Sequence, residues 1–377
     1  MTRLVPVILL LLIGCSPKSR ESNAVSTPLP TPSGPYPIGT SIFHISPRVE
    51  GTVREMMVQV WYPAQDSQSE TELYLPDTST ASAMEKDQYM NISDKVLDGW
   101  RFVRTHAHLD VPVAVQPKLF PLLMFSHGFG VSRSNYTSFA EDFASQGFIV
   151  AAIDHPDAGM MILPDGTVRS MVPDPSGPDH RVMEMAEEAS SVLDQMLDSR
   201  NMIGRFAVRI DRESIGMLGH SLGGAAALNV GLIDPRFKAC ADLDGYPFGE
   251  VMQKGVPIPF LAMLQQPGGP VHVSDSMRVE RDRYWATVIG KRNTRAMIVT
   301  IRGTSHFNFS DFPFMVPDSL MRRNGGTLEP WRGHQIMMNI LRSFFAQYLS
   351  TAVDQAAIDS VARTYTEVTI KSVVPRR

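Results

Sequence analysis

The sequence has little cysteine: Cys15 and Cys240 are the two in 377 residues. It also lacks an excess of either charge, with a formal net charge of −4. An electrostatic nucleic-acid binder would carry a strong basic surplus, so no nucleic-acid partner is expected. No self-similar period of about 20 to 50 residues stands out, which argues against a solenoid or propeller. The apolar run Leu4–Ile13 is broken only by Pro6 and is ten residues long. A helix needs about 20 such residues to cross a bilayer, so this run does not read as a span. The segment Asp154-His155-Pro156-Asp157 lacks the spaced histidines that zinc sites favour. Neither a metal nor an organic cofactor is expected.

What is present begins with targeting. Met1-Thr2-Arg3 gives a short basic start, and the apolar run has the length of the core of a secretion signal. It ends in Leu12-Ile13-Gly14-Cys15, which resembles the bacterial lipobox, in which the cysteine is lipidated and becomes N-terminal. Residues 1–15 are therefore read as a lipoprotein signal and Cys15 as the lipidation site. Residues 16–40 are rich in serine and proline, with prolines at 28, 30, 32, 35 and 37. Such composition builds no core and suits an extended tether. Stable anchoring takes two or more acyl chains. The expected location is the bacterial cell envelope, lipid-anchored. Ser16 follows the cysteine in place of the aspartate that retains such proteins in the inner membrane. The outer membrane is the expected home where the source has one. With Cys15 so engaged, Cys240 has no partner; in Phe237-Lys238-Ala239-Cys240-Ala241 it reads as an inert core residue.

Residues 41–352 alternate strand-like and helix-like stretches, which predicts an α/β fold: a mostly parallel central sheet with helices on both faces. The strand-like runs are 56–62, 121–126, 148–153, 214–219, 238–243, 258–264 and 296–301. Short continuous apolar runs of this kind suit strands covered on both faces. Helical spacing appears over 135–146, 179–202, 222–232 and 331–349. Two stretches, 66–117 and 157–180, fit no sheet core and read as insertions, either pocket walls or plain surface excursions. Residues 353–377 read as a C-terminal tail.

The strongest chemical signal is Gly219-His220-Ser221-Leu222-Gly223. G-x-S-x-G alone is a weak pattern. Here a strand-like run leads in and a small-residue helix leads out, the context of a nucleophile elbow. A serine hydroxyl is a poor nucleophile near neutral pH and needs a base to take its proton. His306 lies just beyond the last strand-like run, in Gly303-Thr304-Ser305-His306-Phe307. His334 opens an amphipathic helix and reads as a surface residue, while His220 should point away from its neighbour Ser221. The base in turn needs a carboxylate to hold its tautomer. Asp244 ends the strand after the nucleophile helix; Asp275 and Asp282, after the next strand, fit the spacing equally well. The developing oxyanion needs backbone donors. The N–H of Leu222 is one candidate and that of Phe129, in His127-Gly128-Phe129-Gly130, is the other.

Together these residues resemble the platelet-activating factor acetylhydrolase family of plasma and intracellular type II, over roughly residues 36 to 350. The likeness rests on Phe125-Ser126-His127-Gly128-Phe129-Gly130, Phe148-Ile149-Val150-Ala151-Ala152, Gly219-His220-Ser221-Leu222-Gly223-Gly224, Leu243-Asp244-Gly245 and Gly303-Thr304-Ser305-His306-Phe307-Asn308-Phe309-Ser310-Asp311. It implies an α/β-hydrolase fold, Asp244 as the acid, Phe129 and Leu222 as oxyanion donors, and no metal. Phe307 stands where mammalian members carry glutamine, and Tyr246-Pro247 also departs from the pattern, so acyl preference does not transfer.

The expected function is hydrolysis of a carboxylic ester through an acyl-serine intermediate, on a small ester or lipid with a short acyl group or a phospholipid-like body. An acyltransferase or peptidase could use the same trio. An inactive hydrolase fold serving as an envelope binding protein is the alternative of a different class.

Overall fold

Runs such as Phe120–Ser126 and Ile149–Asp154 are apolar and buried at every position. A strand of that kind is stable only with a layer on each face. The computed structural model describes residues 27–75, 92, 94–268, 275–292, 294–349 and 358–373. The signal segment 1–15, Cys15 and residues 16–26 lie outside the described residues. The strands are β1 (Ile38–Ile45), β2 (Arg48–Val49), β3 (Thr52–Val53), β4 (Met56–Pro63), β5 (Thr71–Leu73), β6 (Arg104–Leu109), β7 (Phe120–Ser126) and β8 (Ile149–Asp154). They continue with β9 (Met161–Ile162), β10 (Val168–Arg169), β11 (Ile210–His220), β12 (Phe237–Leu243), β13 (Phe260–Gln266), β14 (Ala296–Arg302) and β15 (Val368–Val373).

One large sheet runs β15-β14-β13-β12-β11-β7-β8-β4-β1-β6-β5. Its centre, from β8 to β14, is parallel. The period of two along each strand sorts side chains between two layers. Leu122 and Met124 join the cluster of Val192 and Met196, from helix Pro178–Leu197, and Leu228, from helix Leu222–Ile233. Leu123 and Phe125 face the other way, onto Phe139 and Phe143 of helix Thr137–Ser145 and Ile340 and Phe344 of helix Pro330–Tyr348. This is the α/β architecture expected from the alternation of apolar runs, and it agrees with the α/β-hydrolase fold that the family resemblance implies.

Three sequence-based boundaries need correction. The tether expected over 16–40 ends earlier. Leu29 is buried, the Ser33 N–H and hydroxyl donate to Asp142 at 2.9 and 2.7 Å, and β1 begins at Ile38 and pairs antiparallel with β4. A proline-rich segment forms no core of its own, yet it can lie extended along one already built. The C-terminal tail expected over 353–377 is also partly fold. Helix Ile358–Ala362 docks on the apolar layer, and β15 pairs antiparallel with β14. Its alternation of Val368, Thr369, Ile370 and Lys371 presents apolar residues to that layer and suits an edge strand. Finally, the insertion at 66–117 is not all surface. It supplies β5, β6 and helix Asp94–Trp100, with β6 parallel to β1. Leu97 and Trp100 pack on Phe312 and Met315, just downstream of His306. The stretch 157–180 holds the β9–β10 hairpin.

Candidate active site

β11 ends at His220 and helix Leu222–Ile233 begins one residue later, so the turn between them is a single residue, Ser221. Ser221 has φ 55° and ψ −120°, a positive φ that costs a non-glycine residue of order 1–3 kcal/mol. The flanking glycines make so tight a turn possible. A Cβ on Gly219 would stand 2.1 Å from the Gly223 carbonyl oxygen, and one on Gly223 would stand 2.2 Å from that of Ser126. The Ser221 hydroxyl makes no capping bond to the helix it precedes. It lies instead 2.9 Å from Nε2 of His306.

His306 opens a 3-10 turn, His306–Phe309, after β14. Ser305 and Asn308 clamp that turn, the Ser305 N–H donating to Asn308 Oδ1 at 2.8 Å. Nδ1 of His306 is 2.6 Å from Asp244 Oδ2. Asp244 follows β12 at φ 55°, which breaks the strand's alternation. Asp242 therefore does not share its direction: Asp242 Oδ1 accepts the Gly245 N–H at 2.6 Å inside the fold, and burial pushes its carboxyl well above the usual range. The other oxygen of Asp244 accepts the Gln265 N–H at 2.8 Å, so the carboxylate is held from two sides. Its side chain is 5% exposed, whereas that of His306 is 36% exposed. Of the rivals, Asp282 is a solvent-facing residue of helix Asp275–Lys291, and the side chain of Asp275 lies outside the described residues.

The loop after β7 closes over the elbow. A Cβ on Gly128 would come within 3.1 Å of Ser221 Cβ. Nδ1–H of His127 donates to the Gly128 carbonyl at 2.8 Å, and its Nε2 accepts the His155 N–H at 3.0 Å. Burial lowers His127 to about 4, so it stays neutral and this tautomer fits both partners. In a trans peptide the C=O and the next N–H point oppositely. Anchoring the Gly128 carbonyl on His127 therefore turns the Phe129 N–H the other way. No backbone or side-chain acceptor among the described residues takes the N–H of Phe129 or of Leu222.

Sequence reasoning did not find the next layer. The Gly128 N–H donates to the Tyr136 hydroxyl at 3.1 Å. That hydroxyl lies 2.8 Å from His220 Nδ1, and His220 Nε2 lies 3.1 Å from the His306 carbonyl. The carbonyl can only accept, so Nε2 carries the hydrogen and Nδ1 accepts from Tyr136. Burial, the main cause, and the neighbouring His306 lower His220 well below the usual range. A directed chain of hydrogen bonds thus runs from the loop after β7 to the backbone of His306. His220 does point away from the serine, as its place in the motif implied; its partners were not legible. His334 is a correction: it is 7% exposed, with its ring between Phe139 and Phe314 at centroid distances of 5.1 and 5.8 Å.

Cys240 is a free, buried thiol whose pKa burial pushes up. Among the described residues, one His/carboxylate group, Asp174, His180 and Glu184, brings possible metal-ligand atoms together. Arg181 lies between its two carboxylates, 2.8 Å from Glu184 and 3.8 Å from Asp174.

An α/β-hydrolase fold that gathers a serine, a histidine and a carboxylate at the carboxyl rim of its sheet is the architecture of serine ester hydrolases. The model of the family described as platelet-activating factor acetylhydrolase, isoform II, matches residues 22–163 and 181–367, and the chain belongs to that family. It is 24% identical over 344 residues to a platelet-activating factor acetylhydrolase of Bos taurus, covering 78% of this chain and 70% of the relative. It is 27% identical over 321 residues to a protein of Arthroderma benhamiae named as a probable 1-alkyl-2-acetylglycerophosphocholine esterase, covering 76% and 77%. Among solved structures, a ferulic acid esterase from Streptomyces cinnamoneus superposes with a TM-score of 0.73 at 26% identity, covering 91% of this chain and 98% of that one. The chain is a carboxylic ester hydrolase.

Proposed function

We propose that Ser221 is the nucleophile of this hydrolase, His306 its general base and Asp244 the residue that orients the base. The observation that carries the proposal is the pair of contacts at His306, 2.9 Å to the serine hydroxyl and 2.6 Å to the carboxylate. Nδ1–H donates to Asp244, which leaves the Nε2 lone pair facing the hydroxyl. As Ser221 Oγ attacks the ester carbonyl, its proton passes to Nε2, and Asp244 stabilises the imidazolium. The negative charge on the carbonyl oxygen is met by the N–H groups of Phe129 and Leu222. His306 then protonates the leaving alcohol, and the acyl-serine remains. Water, deprotonated by the same histidine, hydrolyses it to a carboxylic acid and free Ser221.

The substrate class we propose is an ester with a short acyl group on a phospholipid-like body. Family membership supports it, as do the substrates named for the bovine and fungal relatives. We further propose attachment to the bacterial envelope through acyl chains on Cys15, supported by the sequence Leu12-Ile13-Gly14-Cys15. A fluorophosphonate probe should label the wild-type chain stoichiometrically and the Ser221→Ala variant not at all. Equal labelling of the variant would reject Ser221. For the anchor, metabolic labelling with palmitate should disappear in Cys15→Ser; persistent label would place the lipid elsewhere.

A further inference from the structure

The reacting groups come from three separate pieces of chain: Phe129 from the loop after β7, Ser221 from the end of β11 and His306 from the turn after β14. An error of about 1 Å in their mutual placement can cost on the order of a hundredfold in rate. The turn at Ser221 sets the hydroxyl, and Asp244 sets the imidazole. Neither is bonded to the loop that carries Phe129.

That loop cannot be held by the residue at its centre. Gly128 has no side chain and no room for one: a Cβ there would stand 3.1 Å from Ser221 Cβ and 3.2 Å from His220 Nδ1. Its amide groups must therefore be fixed from outside. His127 takes the Gly128 carbonyl at 2.8 Å, and the Tyr136 hydroxyl takes the Gly128 N–H at 3.1 Å. The Phe129 N–H shares a peptide plane with that carbonyl, so its direction follows from theirs.

We infer that Tyr136 and His220 are positioning residues for the hydrolytic step, a brace that holds the oxyanion loop in register with the base. The inference rests on the roles proposed above for Ser221 and His306. Each of the three bonds has an end within one residue of a reacting group: Gly128 beside Phe129, His220 beside Ser221, and His306 itself. One placement of hydrogens satisfies all three, with every donor pointing from the loop toward His306. In such a run each bond polarises the next, so the two side chains act together. Both are buried, so bulk water does not compete for their bonds. The His220 ring also packs against that of His306, with centroids 4.5 Å apart at 39°. A neutral ring there supports the imidazole without opposing the charge it gains during the reaction. Charge develops on the carbonyl oxygen and on His306 only in the transition state. Loosening the brace therefore lowers kcat and leaves KM.

The test is a double-mutant cycle on p-nitrophenyl acetate turnover by the full chain. Active sites are titrated to completion with the fluorophosphonate, so that kcat is counted per competent site. Acylation and deacylation both use the oxyanion donors and His306, so kcat reports the brace whichever step is slower. Tyr136→Phe keeps the ring against Phe125, at 4.6 Å between centroids, and removes the oxygen alone. Its kcat should fall about thirtyfold, with KM within about threefold. A fall in kcat of less than about threefold, or a loss carried by KM, would overturn the inference. His220→Leu removes both bonds of the ring and should cost about a hundredfold in kcat. Adding Tyr136→Phe to it should cost no more than about another threefold, because the brace is already broken. Losses that multiply would mean that the two residues act separately, and would sink the brace. His220→Gln, whose amide can still donate to the His306 carbonyl, should recover roughly tenfold over His220→Leu. Equal rates for those two variants would also count against it. Where His220→Leu fails to fold, Tyr136→Phe decides alone. Failure of the Ser221 assignment reads differently: Ser221→Ala would then keep its label, whereas the Tyr136 and His220 variants leave Ser221 in place to be titrated.

Discussion

Among the described residues two trios of serine, histidine and carboxylate are hydrogen-bonded. In one, His306 bridges Ser221 and Asp244 at 2.9 and 2.6 Å. In the other, His155 bridges Ser126 and Glu188 at 2.7 and 2.7 Å. Heavy-atom distances do not tell them apart, but three other features do. Ser126, His155 and Glu188 are all fully buried, so no substrate can reach the hydroxyl. Ser126 ends a regular strand, whereas Ser221 projects from a turn of positive φ. Glu188 also accepts from Arg54 Nε at 2.6 Å, so its charge is committed to an ion pair that ties helix Pro178–Leu197 to the chain before β4. A hydrogen-bonded trio is therefore not by itself an active site. The Ser221 trio has a half-buried serine on a strained turn, a partly exposed histidine and unspent N–H donors nearby; without these the same three groups act as a buried polar clamp between β7, β8 and a helix.

Removing each serine is the sharpest way to break the comparison. Ser221→Ala should lower turnover of a p-nitrophenyl acetate substrate on the order of a million-fold. Ser126→Ala should leave turnover within a fewfold and reduce stability by about 1–3 kcal/mol, because buried His155 Nε2 loses its hydrogen bond with the Ser126 hydroxyl. Comparable rate losses in the two variants would mean that the buried trio takes part in the reaction. The carboxylates give the next contrast. Asp244→Asn should cost roughly ten-thousand-fold in rate with little change in melting temperature, and Asp275→Asn should cost little. Glu188→Gln should do the reverse. It leaves the half-buried Arg54 with Asp157, at 3.2 Å, and the Pro156 carbonyl, and should destabilise by about 2 kcal/mol, read as a fall in the urea midpoint.

The same comparison shows what the sequence could disclose. Ser221, His306 and Asp244 were legible because each sits at a topologically fixed point: a strand-to-helix turn, the end of the last parallel strand, the end of the strand after the nucleophile helix. The choice of Asp244 over Asp275 and Asp282 came from the family resemblance, since spacing alone left them level. The buried trio was not legible. Glu188 reads as one charge on an amphipathic helix, and nothing in the order of residues says that Arg54 arrives from over a hundred positions away. Parallel strands at the centre were legible because each holds a continuous, mostly apolar buried run, as in Ser214–Gly219 of β11, while the polar start of β11 at Asp211–Glu213 was not read as strand. The peripheral strands were not: β1 lies partly inside a proline-rich stretch, and β6 and β15 mix polar and apolar residues. At an edge, pairing with a neighbour that already exists outweighs local composition. His334 was misjudged for a related reason. An amphipathic pattern gives a helix face, but which residues at its first turn are covered depends on Phe139 and Phe314, which come from elsewhere.

His334 also supplies the smallest and most selective of the contrasts. Burial is the main cause that lowers its pKa to about 4, with Arg342 acting the same way and Asp142 opposing. Its Nδ1 is buried without a partner. In the unfolded chain a histidine titrates near 6.5. Between pH 6.5 and 4 the unfolded state therefore binds the proton and the folded state does not. Stability from this residue is present at neutral pH and is lost as the pH falls through that window, by about 3 kcal/mol at most at ~1.4 kcal/mol per pKa unit. Asp311, held up at about 8 by burial, works in the opposite direction across the same range, so the wild-type profile alone does not isolate His334. The difference between wild type and His334→Gln does. The variant should show a shallower loss of stability from pH 7 to 4 in urea titrations, with the two chains converging toward the acid end. Parallel curves would show that His334 takes up its proton at the same pH in the folded chain as in the unfolded one, about 6.5, in spite of its burial. Below that pH the ring would then face Phe139 and Phe314 as a cation, and the layer beneath helix Pro330–Tyr348 would admit a charge that the neutral packing described above excludes.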